Sequence, residues 1–165
     1  MRQVADLRKS QRLYRLAPSI LETFMTKFTG GCQCGAIRFE ASGEPLFAGH
    51  CSCRDCQMAS GAGHTTIAAF PESALKVTGA PAKYTSAGGS GQPVTRQFCA
   101  ICGSRLFSSG QSGAGMVMVS ASALDDPSLV KPQAAIFQRS AQPWDHVNPA
   151  LPKFETTPPG PPPSR

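Results

Sequence analysis

Seven cysteines grouped in three clusters constrain this 165-residue chain more than any other feature of its sequence. The clusters are Cys32-Gln33-Cys34, Cys51-Ser52-Cys53-Arg54-Asp55-Cys56 and Cys99-Ala100-Ile101-Cys102. Each cysteine has another within three residues, a grouping that cysteines buried as small apolar side chains do not need. Thiolates paired in tight turns are typical zinc ligands, so the sequence predicts metal sites.

The third cluster is typical of a zinc knuckle, because Gly103 directly follows its second cysteine. A glycine there accepts the left-handed backbone conformation that turns amide groups toward sulfur. A redox pair of the thioredoxin type is the alternative, and it needs a helix that begins at the motif. Here the β-rich segment Arg105-Leu106-Phe107 follows shortly after, which favours the knuckle.

Seven thiolates divide naturally into a closed four-ligand structural site and an open three-ligand catalytic site. The middle cluster offers three sulfurs from a single turn, so it suits the open site. The predicted three-cysteine site is Cys51, Cys53 and Cys56, and the predicted four-cysteine site is Cys32, Cys34, Cys99 and Cys102. We therefore expect two zinc ions per chain as cofactors, one in each site.

The charge of the open site indicates what it binds. Three thiolates around Zn²⁺ leave a single net negative charge, so the metal is a weaker Lewis acid than zinc held by neutral imidazoles. Such a site suits a soft ligand better than it suits the production of hydroxide. A substrate thiol, whose ordinary pKa is near ~8.5, would bind there as its thiolate.

Composition divides the chain into three zones. Residues 1–25 are a basic N-terminal extension, interpreted as a peripheral helix or as the product of an early start codon. Residues 26–155 are the predicted zinc domain, and residues 156–165 are a Pro-rich tail that is predicted to be disordered.

The central zone is predicted to be mainly β, because short β-branched and aromatic runs alternate there with Gly, Pro, Ser and Asn. Helical turns are predicted only at 54–60 and 125–130, the second with an Asp cap followed by Pro. The predicted strands are 36–40, 64–70, 75–78, 94–98, 104–107, 116–120 and 134–137.

The formal net charge of +6 first suggests a polyanionic partner. Residues 26–155 carry ten Lys and Arg against eight Asp and Glu, without a run of basic residues, so no nucleic-acid partner is expected. No apolar run is long enough to span a bilayer, and the N-terminus lacks a secretory signal, so no membrane partner is expected either. The expected location is the cytoplasm, where reducing conditions keep thiols free.

Three segments together carry a family resemblance: Gly30 to Phe39, Cys51 to Gly61 and Phe98 to Ser104. They resemble the glutathione-dependent formaldehyde-activating enzyme family, also called the CENP-V/GFA domain, and the likeness covers about residues 25–155. It implies an Mss4-like fold of several coiled antiparallel sheets built around two zinc sites. It also implies that the four-cysteine site is structural and that the three-cysteine site is the active centre.

The resemblance implies a carbon–sulfur lyase activity, run in reverse as the condensation of formaldehyde with glutathione to S-hydroxymethylglutathione. Cys51, Cys53 and Cys56 would then be the catalytic residues, and glutathione the small-molecule partner. Ser52 departs from the family pattern, because many members have a histidine between the first two cysteines of this cluster. The alternatives are a zinc-dependent thiol carrier that does not catalyse, and a zinc-stabilised interaction module. The sequence leaves the oligomeric state open.

Five further residues have competing interpretations. His50 and His64 flank the open cluster, either as proton acceptors for a thiol or as ordinary strand-end histidines. Arg54 either attracts a substrate carboxylate or pairs locally. Trp144 and Phe154 either cover an edge of the core or stack against a ligand, and the first role is the predicted one.

Overall fold

The computed structural model describes residues 26–89, 91–110 and 113–158. The predicted N-terminal extension and residues 159–165 of the predicted tail lie outside the described residues. The helix α1 spans Arg54–Ser60. The strands are β1 Lys27–Gly31, β2 Arg38–Ser42, β3 Phe47–Cys51, β4 Thr65–Pro71, β5 Leu75–Thr78, β6 Ala82–Ala87, β7 Pro93–Phe98, β8 Arg105–Gly110, β9 Met116–Ser120 and β10 Ala134–Ile136.

These strands form two sheets. The smaller sheet has the order β1-β2-β5, and the larger one has the order β10-β3-β4-β9-β8-β7-β6. Neighbouring strands are antiparallel, except that β10 pairs with β3 in parallel. The prediction of a mainly β fold is therefore confirmed. No helix within the described ranges is long and apolar enough to cross a membrane.

All seven predicted strands are present, and α1 has the predicted bounds. The predicted turn at 125–130 is a short 3-10 helix at Pro127–Leu129, which Asp126 caps by accepting a hydrogen bond from the backbone N–H of Ser128. The sequence did not predict β1, β3 and β6, which are poor in β-branched residues. In β3, a Cβ on Gly49 would lie 2.7 Å from the carbonyl oxygen of Ala134, so the glycine lets β10 approach.

The main core lies where the two sheets meet. Phe28 of β1 packs edge to face against Phe70 of β4, with ring centroids 5.2 Å apart. Phe39 of β2 packs in the same way against Phe107 of β8, at 5.1 Å. All four rings are at most 4% exposed, so their burial holds the smaller sheet against the larger one.

A second, smaller apolar cluster surrounds Cys51 and includes Ile67, Ile136 and the partly buried Phe154. The prediction that Phe154 covers the core is confirmed. Trp144 was predicted to do the same, and this is wrong, because 65% of its surface is exposed. It lies in a loop between β10 and the bridge at Lys153, where no strand pairing draws it inward.

The chain after β10 wraps back over the Cys51–Cys56 segment. The backbone N–H of Phe154 donates to the carbonyl of Ala135 at 2.9 Å, and that of Phe137 donates to the carbonyl of Thr156 at 3.0 Å. We call residues 137–157 the C-terminal strap. His64, which follows α1, is held against it by Asp145, with 2.7 Å between Nδ1 and the carboxylate.

Gly63 provides a test of how tightly the strap packs. A Cβ on Gly63 would lie 2.2 Å from Cγ of Asp145, so the Gly63→Ala side chain must displace the carboxylate that holds His64. Overpacking of this kind costs about 1–3 kcal/mol, and we expect a lower midpoint of thermal unfolding. Gly113→Ala is the matched control, because the atom nearest to its Cβ would be the flexible end of Met116, at 3.2 Å, and its other neighbours would lie at ordinary contact distances. Equal midpoints for the two variants would contradict the prediction.

Candidate metal centres

The four-cysteine site lies between the two sheets. Cys32 and Cys34 follow β1 of the smaller sheet, and Cys99 and Cys102 follow β7 of the larger sheet. Their four sulfurs lie within 4.8 Å of one another. Tetrahedral zinc with bonds of ~2.3 Å places its sulfurs about 3.8 Å apart. The Cys32–Cys34 and Cys34–Cys99 sulfur distances, 3.5 and 3.6 Å, fit that arrangement.

Both halves of this site have the backbone geometry of a knuckle. Gly35 and Gly103 have φ angles of +79° and +74°, the left-handed region expected after the second cysteine. The backbone N–H of Ile37 donates to the sulfur of Cys32 at 3.2 Å. The hydroxyl of Ser104, 3.2 Å from the Cys102 sulfur, is the main cause that lowers the pKa of Cys102 to about 5. The thiolate is therefore favoured at Cys32 and Cys102, whereas hydrogen bonds with the sulfurs of Cys32 and Cys102 raise the pKa of Cys34 to about 12. A soft cation would favour deprotonation of the full set.

The three-cysteine site is built from one strand end and one helix start. Cys51 is the last residue of β3, Cys53 is the N-cap of α1, and Cys56 lies in the first turn of α1. The three sulfurs lie within 4.8 Å of one another. Cys51 is buried, whereas Cys53 and Cys56 are half-buried. The described chain thus offers three ligands on an accessible face.

The pKa values of the three thiols are shifted in different directions. Hydrogen bonds to the sulfurs of Cys53 and Cys56, together with burial, raise the pKa of Cys51. Hydrogen bonds from Cys51 and Cys53, with a further contribution from the positive charge of Arg105, lower the pKa of Cys56. One thiolate is therefore available without any metal, and a soft divalent cation would favour deprotonation of the other two thiols. These residues fit zinc.

A cavity of about 380 Å³ opens beside the three sulfurs. Three arginines, Arg96, Arg105 and Arg139, line it, and Asp55 is the one carboxylate in its wall. Asp55 pairs with Arg96, at 3.0 Å between the charged atoms. Phe137 has a φ of +57°, a conformation that costs a non-glycine residue energy. The chain turns there and brings Arg139 into the wall.

Ser52 has a structural role in this chain. It is 1% exposed, and its hydroxyl accepts a hydrogen bond from Nε2 of Gln138 at 2.9 Å. Nε2 of the buried Gln57 donates to the carbonyls of Ser52 and Ser140, at 2.8 and 2.7 Å. These hydrogen bonds tie the ligand-bearing loop to the C-terminal strap and fix its shape.

The structure assigns local roles to three residues whose interpretation was open. His50 contacts the hydroxyl of Thr66 at 3.0 Å, and His64 contacts Asp145; neither imidazole lines the cavity at the three sulfurs. Burial is the main cause that lowers the pKa of His50. Arg54 donates to the side chain of Gln57 at 3.1 Å, which is the predicted local pairing.

The sequence analysis identified none of the three arginines of this cavity as a site residue. Arg105 follows the Cys99–Cys102 turn closely, so its place near a predicted ligand was a usable signal. Arg139 carried no such signal, because it lies far along the chain from every cysteine. Its position depends on the turn at Phe137 and on the pairing of β10 with β3.

The fold and these sites define a mainly β domain with two cysteine clusters arranged for metal ions. The chain belongs to the glutathione-dependent formaldehyde-activating enzyme family, whose profile matches residues 27–140. The predicted Mss4-like fold is consistent with this family. A crystal structure of a Rhodobacter sphaeroides protein is similar, with 22% identity, a TM-score of 0.50, and coverage of 76% of this chain and 98% of that one. No curated protein matches the chain.

The four-cysteine site and the three-cysteine site should lose their metal ions independently of each other. We expect the purified chain to hold two zinc ions, one for each cluster, and Cys56→Ser to reduce this to one with the fold retained. Cys34→Ser should also remove one ion, but with a marked loss of thermal stability, because its site joins the two sheets. Elemental analysis and thermal unfolding measure both effects. Full zinc content in Cys56→Ser, or equal stability of the two variants, would contradict the prediction.

Proposed function

We propose that this chain is a zinc-dependent enzyme of the carbon–sulfur lyase type that joins glutathione to formaldehyde. The observation that carries the proposal is the open three-cysteine site, which faces a cavity lined by three arginines. Membership of the formaldehyde-activating family supports the same substrates. In this proposal Cys51, Cys53 and Cys56 hold the catalytic zinc, and Cys32, Cys34, Cys99 and Cys102 hold a structural one.

The charges of the cavity suit glutathione, which carries two carboxylates and one ammonium group. Guanidinium groups bind carboxylates through paired hydrogen bonds, and three of them line the wall against one carboxylate. Arg139 is exposed and, among the described residues, has no ion-pair partner. It is therefore the arginine best placed to bind a substrate carboxylate. The cavity volume, about 380 Å³, lies within the usual range for small ligands.

The reaction needs a deprotonated thiol held next to a small aldehyde. Zinc bound by the three thiolates would supply a position that favours soft sulfur and lowers the pKa of an incoming thiol. The sulfur of glutathione then forms a bond to the aldehyde carbon, and the carbonyl π electrons move to oxygen. The proton lost by the thiol returns to that oxygen through water, so atoms and charge balance. The cavity wall contributes by orienting the thiol, which makes the addition effectively unimolecular.

The free, grouped cysteines fit a reducing compartment, so the proposed location is the cytoplasm. Residues 26–155 are the proposed catalytic unit. No nucleic-acid or membrane partner is part of this proposal.

Exchange spectroscopy tests the activity directly. We expect the zinc-loaded chain to increase the rate of exchange between free formaldehyde and S-hydroxymethylglutathione, and Cys56→Ser to reduce that rate to the uncatalysed value. A chain that binds glutathione without changing the rate would be the thiol carrier, and this outcome would contradict the proposed reaction.

The role of Arg139 is tested by kinetics. Arg139→Met should raise KM for glutathione about tenfold with a smaller change in kcat, because one charge-assisted hydrogen bond is worth about 1.5 kcal/mol or more. Arg54→Met is the matched control, since it removes the same charge from a residue that lies within the Cys51–Cys56 segment but does not line the cavity. Equal increases in KM for the two variants would indicate a general electrostatic effect and contradict this role.

A further inference from the structure

Arg105 connects the two cysteine sites. It is the first residue of β8, and Ser104 alone separates it from the Cys99–Gly103 turn of the four-cysteine site. Its side chain lines the cavity that contains the sulfurs of Cys51, Cys53 and Cys56. The backbone of Arg105 thus lies next to the four-cysteine site, and its side chain lies at the three-cysteine site.

The backbone before Arg105 is fixed by the four-cysteine site. The hydroxyl of Ser104 lies 3.2 Å from the sulfur of Cys102 and accepts a hydrogen bond from the N–H of Gln33 at 3.1 Å. The backbone N–H of Cys99 donates to the carbonyl of Ser104 at 3.0 Å. Ser104 is therefore held by both halves of that site. This fixes the backbone position from which the side chain of Arg105 extends.

The other end of Arg105 is fixed by Thr65. The guanidinium donates a hydrogen bond to the hydroxyl of Thr65, and that hydroxyl donates to the carbonyl of Cys56 at 3.0 Å. Thr65 is 5% exposed and is the cross-strand partner of Cys51. Through Thr65, Arg105 is therefore connected to the backbone of Cys56 and to the strand partner of Cys51.

The charge of Arg105 matters because the open site has an excess of negative charge. Three thiolates and one divalent cation leave a net negative charge in a half-buried position. Of the other two arginines in the cavity wall, Arg96 is paired with Asp55, and Arg139 is exposed. Arg105 differs from both, because the buried Thr65 holds its guanidinium in the cavity wall that also contains Cys56.

We propose that Arg105 is a positioning residue for the three-cysteine site, which it holds in a zinc-binding geometry through Thr65 and through its charge next to Cys56. This inference rests on the zinc binding of the proposed function, but not on the proposed reaction. Groups of this kind, placed just outside the metal ligands, commonly change metal affinity 10–100-fold.

Metal titration tests the proposal on the full chain. Zinc affinities of the two sites are measured by competition with a chelator, and cobalt(II) absorption shows which site fills. Arg105→Met should weaken the three-cysteine site about tenfold or more and leave the four-cysteine site unchanged. Arg105→Lys should restore part of the loss, because it keeps the charge. Thr65→Val should weaken the same site, and its effect should not add to that of Arg105→Met, because both break one chain of contacts.

Arg139→Met is the matched control, because it removes the same charge from the same cavity without contact to Thr65, and it should leave the zinc affinity unchanged. Unchanged affinity in Arg105→Met would overturn the proposal. Equal loss of zinc affinity at both sites in Arg105→Met would also overturn it, because that result indicates general destabilisation. An equal loss of zinc affinity in Arg139→Met would overturn it as well. A wild-type chain with no metal at the three-cysteine site would overturn both this inference and the proposed function. If zinc binding depends on Arg105 but the zinc-loaded chain does not increase the rate of formaldehyde exchange, only the proposed reaction would be overturned.

Discussion

The four-cysteine site is the constraint on which the rest of the structure depends. The smaller sheet contributes Cys32 and Cys34, and the larger sheet contributes Cys99 and Cys102, so a metal ion bound there joins both layers at the ends of their strands. A small β domain gains folding free energy from such a site, because the unfolded chain cannot assemble it. The aromatic pairs between the sheets hold the same two layers together.

The open site depends on a different restraint, the C-terminal strap. Hydrogen bonds from Gln138 and Gln57 hold the loop between Cys51 and Cys56, and Asp145 holds the turn after α1. None of Gln57, Gln138 and Asp145 lines the cavity, so these contacts hold the loop without filling the space beside the sulfurs. The loop can therefore expose two sulfurs without losing its shape, which is what a site with an open coordination position needs.

Electrostatics links the two sites to the proposed substrate. Thiolates concentrate negative charge at one end of the cavity, and arginines from β7, from β8 and from the strap supply positive charge around it. Arg96 is paired with Asp55 and Arg105 is bonded to Thr65, so Arg139 would be the arginine left to bind an anion when a metal holds the thiolates together. This division of charge would allow one small cavity to accept both the soft sulfur and the carboxylate of the proposed substrate.

The sequence by itself determined the pairs of neighbouring cysteines, the mainly β class and most of the strands, because each depends on residues close together in the chain. Cysteine spacing identifies a turn, and β-branched runs identify a strand. Only the tertiary structure decided the place of Arg139, the buried role of Ser52, the exposure of Trp144 and the contact of Arg105 with Thr65. These features join segments that are distant in the sequence. They follow from sheet pairing and from the return of the strap, which no local pattern encodes.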